Sequence, residues 1–457
     1  MTSSAPAIVV GAGISGLVCA YALSKAGLHA HVLEASPRAG GAIGSEKRDG
    51  FLLELGPQSF SGTAALRDLS ADLEIADQLL QAPANAPRYV LINGALRAVP
   101  LNPASMLTSS LLSARTKWKI ARDAFGTTSA PEEDESVAAF VRRKFGEQLL
   151  DRLVGPFVSG IYAGDPERLS LRAAFPQLYQ AEKSAGSVIR GMMRAAKSRK
   201  APRERPTLLS FRNGNETLVQ ALAAKVGSRL RLGAEVVGIG VHRDAGAVKF
   251  QVHVARREEV IVTERLVLAT PADVAGTLLR DVNPAFEPVL GGMEYAPVAV
   301  VSLGYRREDI GHSLNGFGFL APRSSALRVL GSVWNSSLFP GRAPAGHALL
   351  TSFVGGATDP GATALSPADL AELVHGEVAP VLQIHAAPVF SHVQVYRRAL
   401  PQYNIGHNDR LMALERLRAD LPGLFFVGNY LRGPAIGNCV ELGIATAGAL
   451  TKQRRSA

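Results

Sequence analysis

The sequence predicts an α/β fold in which a parallel-sheet domain is begun at the N-terminus, left, and completed at the C-terminus around a second, mixed-sheet unit. Three observations predict it. An apolar strand over 7–10 turns through Gly11, Gly13 and Gly16 into a helix opening at Ile14 and Ser15. A second strand, 29–33, ends on Glu34 and Ala35. Near the other terminus Phe425-Phe426-Val427-Gly428-Asn429 repeats the pattern of a strand running into glycine. Such a pairing suits one long ligand gripped from two directions.

Each residue type in the first unit has a physical use. Gly11 permits the tight turn, Gly13 lets backbone approach a pyrophosphate, and Gly16 lets the helix pack on the strand. The helix N-terminus offers free N–H groups to the anion. The Glu34 carboxylate is placed to accept hydrogen bonds from an adenosine ribose, and it would repel the extra phosphate of NADP. Downstream, Arg38 precedes the pair Gly40-Gly41, which suits a second loop on the same pyrophosphate, with Arg38 as cation and the glycines as bare backbone. An ordinary surface loop is the alternative. This order resembles the large superfamily of FAD-containing amine oxidases and desaturases. The resemblance implies a Rossmann-like FAD-binding domain, and FAD rather than NAD.

A chain of 457 residues exceeds what one hydrophobic core organises, so two or three domains are expected. No apolar run reaches transmembrane length, and a strand starting by residue 7 leaves no room for a signal peptide. Cys19 and Cys439 sit in apolar, glycine-rich surroundings and fit small buried residues better than a disulfide or metal pair. A cytoplasmic protein is the expectation. The net charge of +10 is densest over 190–205, where Arg190, Arg194, Lys197, Arg199, Lys200, Arg203 and Arg205 meet only Glu204. No recognised nucleic-acid motif or interleaved aromatic accompanies that run, so no nucleic-acid partner is expected. Anionic lipid, an anionic substrate and a solvated loop all account for it.

Helical spacing of Val137, Phe140, Val141, Phe145, Leu149, Leu150 and Leu153 predicts a packed helical region, with the acids 132–135 at a helix N-terminus. From Thr217 a helix through Val226 leads to strands over 230–232, 235–241, 248–254 and 259–262, then 265–271. Apolar strands over 296–305, 317–320, 329–334 and 348–353 continue a sheet that should floor a substrate cavity. Strand 424–428 returns to the first domain, and a last helix from Asn438 aims its N-terminus at the cofactor.

One passage narrows the function: Pro156-Phe157-Val158-Ser159-Gly160-Ile161-Tyr162-Ala163-Gly164-Asp165-Pro166, followed by Leu169-Ser170 and Ala174-Phe175-Pro176. It resembles oxygen-dependent protoporphyrinogen oxidases. So do Ala86-Pro87-Arg88-Tyr89-Val90, the stretch Gly316-Phe317-Gly318-Phe319-Leu320 with Ser336 to Pro344, and Pro401-Gln402-Tyr403-Asn404-Ile405-Gly406-His407. The resemblance runs nearly end to end. It implies an FAD-binding domain of 1–80, 207–280 and 395–457, a helical membrane-docking insert over 89–200, and a mixed-sheet substrate domain over 281–394.

The same resemblance assigns roles. Arg88 matches an arginine that pairs with a propionate, Leu320 and Phe339 match residues that sandwich the tetrapyrrole, and Gly160 and Gly164 leave room for the macrocycle. Phe339 as plain core and Arg88 as a surface ion pair are the alternatives. Gly56, Pro57 and Gln58, Val236 near the adenine, Ala269, Gly428, Asn429, Ala435, Ile436 and Gly437 complete the expected FAD contacts. Gln58 stands where the family commonly carries asparagine, and Pro434 removes one backbone N–H from the last loop. Ala185-Gly186 stands where the family has a glycine pair. The implied chemistry is three successive hydride losses to flavin, with dioxygen reoxidising it to give hydrogen peroxide. No general base is assigned, because each step leads towards conjugation; His407 reads as structural. No metal cluster is expected. The stretch Met106, Leu107, Leu111, Leu112 with Lys117 and Lys119 suits either a bilayer surface, on the inner face of the cell membrane, or packed core. A homodimer is compatible. Rival readings are a coproporphyrinogen III oxidase, which needs cations for four propionates, an amine oxidase, a desaturase, and a non-catalytic FAD-binding assembly protein.

Overall fold

Ile8–Val10, three fully buried residues, forms the middle of a five-stranded parallel sheet. Strands Leu230–Arg231 and His31–Leu33 lie on one side of it, Leu266–Leu268 and Leu424–Phe426 on the other. Parallel sheets are covered on both faces, which is why these strands read as continuous apolar runs. Helix Ile14–Lys25 packs on one face with the long helix Ile436–Ser456 along it. Helices Ala272–Leu278, Phe286–Gly291 and His407–Ala419 share the core of the other face. The computed structural model describes residues 2–100, 103–198, 207–244, 247–255 and 259–456. Of the basic stretch, Arg199, Lys200, Arg203, Glu204 and Arg205 lie outside the described residues.

A seven-stranded mixed sheet forms the second unit, in the order Phe390–Pro401, Tyr295–Arg306, His347–Gly355, Val329–Trp334, Gly318–Leu320, Arg88–Ile92, Ala95–Ala98. Two expected boundaries therefore move. The hairpin 88–98 belongs to this sheet and not to the helical insert, because Tyr89 and Leu91 pack into the core that helix Pro367–Leu382 covers. Strand Phe390–Pro401 pairs along Tyr295–Arg306, so 395 cuts through one strand. Helix Phe286–Gly291, in turn, packs with the parallel-sheet domain.

The insert runs from helix Pro103–Thr108 to helix Val188–Lys197. Leu111 and Leu112 are buried in its core beside Phe140 and Val141, so the apolar part of 106–112 that the structure shows is packed core. Ser136, and not the acids before it, caps helix Val137–Lys144 by accepting the Ala139 N–H at 3.0 Å. A buried charge cluster holds the helices together. Lys144 Nζ lies 2.6 Å from Asp123 Oδ1 and 3.1 Å from Glu182 Oε1, and Arg143 closes on Glu182 at 2.8 Å. Burial alone would raise the Glu182 pKa, but the Arg143, Lys144 and Thr128 hydrogen bonds outweigh it and hold the carboxyl below its usual range.

Lys144→Met leaves two buried carboxylates short of a partner and should destabilise the insert by about 3–5 kcal/mol, read as a lower urea midpoint. A carboxyl with a depressed folded pKa contributes above its unfolded pKa and loses that contribution as pH falls through the folded value. The gap between wild type and variant should therefore narrow in acid. Equal midpoints at neutral pH would show that the cluster does not hold the insert.

Candidate functional site

Strands Ile8–Val10, Leu266–Leu268 and Leu424–Phe426 run parallel, so their carboxyl ends lie on one edge, where open α/β sheets bind ligands. Gly11, Ala269 and Gly428 leave those ends close together: a Cβ on Gly11 (φ +103°) would stand 2.8 Å from the Ala269 carbonyl oxygen, and the Val427 N–H donates to Leu268 at 2.9 Å. A Cβ on Gly16 would come within 2.1 Å of the Gly11 oxygen, which explains the glycine there. At Gly13 the reverse holds, for a Cβ would meet nothing within 4 Å. Gly13 is also the N-cap of helix Ile14–Lys25, with no side chain capping it. Open space before Ile14 and Ser15, with free N–H groups, fits a pyrophosphate.

The second glycine loop lies alongside. Gly40 donates to the Ala12 carbonyl at 2.8 Å and bridges Gly13. Arg38 differs from expectation: its guanidinium donates to the Gly41, Ile43 and Ala39 carbonyls at 2.6, 3.0 and 3.2 Å. It orders this loop and brings its charge there, with most of its donors already used. Glu34 accepts the Ala12 N–H at 2.7 Å and the Ser36 N–H at 2.9 Å, which aims its carboxylate beside Ala35 and leaves acceptor capacity for ribose hydroxyls. The Ala234 N–H donates to the Glu34 carbonyl at 2.8 Å, so Val236, opening the strand Val236–Asp244, stands near the ribose acid.

Gly56 packs against the Ala42 carbonyl, where a Cβ would stand 2.1 Å away, and this sets Pro57 beside the second loop. Gln58 looks inward. Its amide donates to the Glu54 and Gly56 carbonyls at 3.0 and 2.8 Å and accepts from Asn335 at 2.7 Å, so its side chain is spent inside the protein and not on a flavin. Asn429 opens the short helix Asn429–Arg432, and its carbonyl accepts the Tyr403 hydroxyl. Ala435 is exposed at the start of the last helix, which begins at Ile436, ahead of Asn438. Gly437 fits closely against Thr63.

The mixed sheet supplies a cleft wall. Gln394, Val300, Phe353, Gly331, Leu320 and Val90 are cross-strand partners in turn, hence on one face. Leu320 is half-buried, and a Cβ on the exposed Gly160 would meet its Cδ2 at 2.6 Å. Gly160 thus lets the insert helix Gly155–Tyr162 approach this wall, with Phe157 and Ile161 exposed beside it. Arg88 stands in the adjoining row opposite Gly318, exposed, its guanidinium 5.6 Å from the Phe317 ring.

Two expected contacts change. Phe339 is 2% exposed, packed with Val333, Leu338 and Ala82 beneath Arg342, so it is core; the half-buried aromatic on the cleft face is Phe353. Period-two alternation in 348–353 could have put Phe353 opposite the core side, but which side faces the cleft is a tertiary fact. Gly164 is buried, and a Cβ there would meet Gln402 Oε1 at 2.9 Å; it makes room for protein, not for a ligand. His407 is buried, stacks on Tyr403 at 4.5 Å, and is held neutral by burial, its pKa lowered to about 4.

Residues 14–451 match the family of flavin-containing amine oxidoreductases. The chain is 36% identical to the chloroplastic protoporphyrinogen oxidase of Nicotiana tabacum, over 97% of this chain and 85% of that one. It is 29% identical to the coproporphyrinogen III oxidase of Bacillus subtilis (strain 168), over 97% of each. A crystal structure from Exiguobacterium sp. 255-15, provisionally assigned as a protoporphyrinogen oxidase, superposes with a TM-score of 0.81 at 24% identity, covering 99% of this chain and 100% of that one.

Gly13→Ala meets no protein atom and keeps an ordinary φ of −67°, so the thermal midpoint of the apo protein should stay put. Flavin retained after purification should fall at least about 10-fold, since the added methyl fills the anion's space. Full flavin content in the variant would place the pyrophosphate elsewhere.

Proposed function

The chain belongs to the flavin-containing amine oxidoreductases and, within them, to the protoporphyrinogen oxidases, and from that premise we propose that it oxidises protoporphyrinogen IX to protoporphyrin IX with dioxygen as acceptor. It is an FAD-dependent oxidoreductase. The observation that carries the substrate assignment is a guanidinium, Arg88, with no ion-pair partner among the described residues, beside an apolar sheet face carrying Leu320 and Phe353. That combination suits a broad apolar molecule with few carboxylates. A planar fork binds a carboxylate at two points and so fixes orientation as well as position.

Bound FAD supplies a two-electron acceptor that dioxygen restores. The protein's share is positional. Arg88 anchors a propionate, Leu320 and Phe353 lie against the ring face, and Gly160 sets the spacing between insert and sheet. His407 stays neutral and packed, so proton transfer is not assigned to it.

A second element of the proposal is peripheral contact with an anionic bilayer. Helix Ala114–Phe125 exposes Trp118 (60%) and Phe125 (87%) among Arg115, Lys117, Lys119 and Arg122. Helix Val188–Lys197, packed on it, exposes Met193 beside Arg194 and Lys197. Exposed aromatics among cations suit a headgroup interface. No helix among the described residues is long and apolar enough to cross a membrane.

Anaerobic mixing of the yellow protein with protoporphyrinogen IX should bleach the flavin, with peroxide and porphyrin fluorescence after aeration. Arg88→Ala should raise KM about 10-fold or more. Faster bleaching by coproporphyrinogen III would transfer the assignment to the four-propionate substrate, and bleaching by neither would sink the porphyrinogen reading. In co-sedimentation with phosphatidylserine vesicles, Trp118→Ser with Phe125→Ser should bind about 10-fold less than wild type, and salt should weaken both. Equal binding would remove that helix from the contact.

A further inference from the structure

The hairpin Arg88–Ile92 with Ala95–Ala98 carries a second arginine on the cleft side. Arg97 pairs across the strands with Val90, and Arg88 with Val99, which makes Arg88 and Arg97 diagonal neighbours on one face. Such positions lie about 7–8 Å apart at Cα, within reach of one another's long side chains. Arg97 is exposed and has no ion-pair or hydrogen-bond partner among the described residues. A third arginine approaches from the insert. Arg152 lies on the π-helical turn Leu150–Val154 and makes one hydrogen bond, to the Leu111 carbonyl at 2.8 Å.

Arg97 and Arg152, with Ser110, Asn93, Ile92 and Leu111, enclose a cavity of about 200 Å³. A larger cavity of about 530 Å³ shares Ile92, Asn93 and Arg152 with it and is lined also by Asp151, Glu377, Leu91, Leu327 and Val381, on the helix-covered side of the hairpin. The two carboxylates that line the larger cavity are hydrogen-bonded to neutral groups. Asp151 accepts the Ser324 hydroxyl at 3.0 Å, and Glu377 accepts the Arg328 and Val329 N–H groups at 3.1 and 2.9 Å. The smaller cavity has two guanidinium groups, the apolar Ile92 and Leu111 and no carboxylate among its described lining residues, which suits the carboxylate of an amphipathic molecule.

Resting on the porphyrinogen reading, we propose that Arg97 and Arg152 form a second carboxylate subsite that takes a further propionate of the tetrapyrrole, while Arg88 holds the first. The two subsites belong to one hairpin face, so a dicarboxylate would be fixed at two points and could not rotate in its plane.

The test uses the flavin-loaded enzyme and two non-reacting probes, protoporphyrin IX and its dimethyl ester, titrated by fluorescence quenching. Wild type should bind the diacid more tightly than the diester. Arg97→Gln and Arg152→Gln should each weaken the diacid about 10-fold and leave the diester unchanged, with Arg97→Lys restoring part of the loss. In turnover the same variants should raise KM and leave kcat in place. If Arg88→Gln weakens the diacid and neither of the other two does, the second subsite is wrong and the porphyrinogen reading stands. Equal weakening of diacid and diester would mean a packing role and overturn the proposal. If wild type binds neither probe, the porphyrinogen reading fails and takes the subsite with it.

Discussion

Everything that the cleft does depends on one buried ion pair between the FAD-binding unit and the mixed-sheet unit. Arg342, in the loop after the mixed-sheet strand Val329–Trp334, reaches Glu54 of the FAD-binding unit at 2.8 Å, and both side chains are 1% exposed. Burial raises the Glu54 carboxyl pKa to about 7, against the lowering pull of Arg342, the Ser45 hydroxyl and the Asn215 N–H. Arg342 also donates to Ser210 and to the Phe211 carbonyl. A buried charge left unpaired costs several kcal/mol, so neither unit can slide without stranding one. The second tie, Asn335 to Gln58, lies a few residues away on both strands of the seam. Between Glu54 and Gln58 runs the Gly56–Pro57 turn. The segment that lies against the second glycine loop is therefore held from both sides by the unit that carries the cleft.

A second seam ties the insert in. Ser170 donates its N–H to the Tyr403 carbonyl at 2.8 Å, Ile405 donates to Arg168 at 3.0 Å, and Gln402 Nε2 donates to Tyr162 at 2.8 Å. Tyr403 then passes its hydroxyl to the Asn429 carbonyl. The motif 401–407 thus links the insert helix that carries Gly160 to the glycine segment closing the FAD-binding edge. Three units meet there with their backbone groups satisfied, which is what a cleft needs to keep its width.

The legible part of this fold was local. Glycines at 11, 13, 16, 40 and 41, the acid at 34 and the apolar strands all carry their reason within a few residues, and they gather at the carboxyl edge of the parallel sheet. Side chains whose partners are remote were not legible. Arg38 was expected at the pyrophosphate, but the loop it precedes curls its carbonyls onto the guanidinium. Gln58 faces Asn335, 277 positions away in sequence. Phe339 and Phe353 are both aromatic residues of the mixed-sheet region, and only cross-strand register decides which one meets the cleft. The hairpin 88–98 read as part of the insert because pairing with Gly318–Leu320 is a long-range parallel contact that no local pattern announces.

What marks this cleft is uncompensated positive charge set beside an apolar wall. Several arginines elsewhere face carboxylates: Arg142 on Glu147 and Glu167, Arg231 on Glu259, Arg328 on Asp359, Arg342 on Glu54. Around the hairpin, Arg88 and Arg97 have no carboxylate partner among the described residues, although each stands beside apolar surface that lowers the local dielectric. A guanidinium in that position is stabilised more by an incoming anion than by bulk water, because the anion brings its own apolar body to exclude the solvent. On the proposed reading, a small neutral amine would bury little against Leu320 and Phe353 and leave the arginines without a counter-charge. In the proposed reading, preference for a carboxylated macrocycle comes from what the hairpin lacks as much as from what it presents.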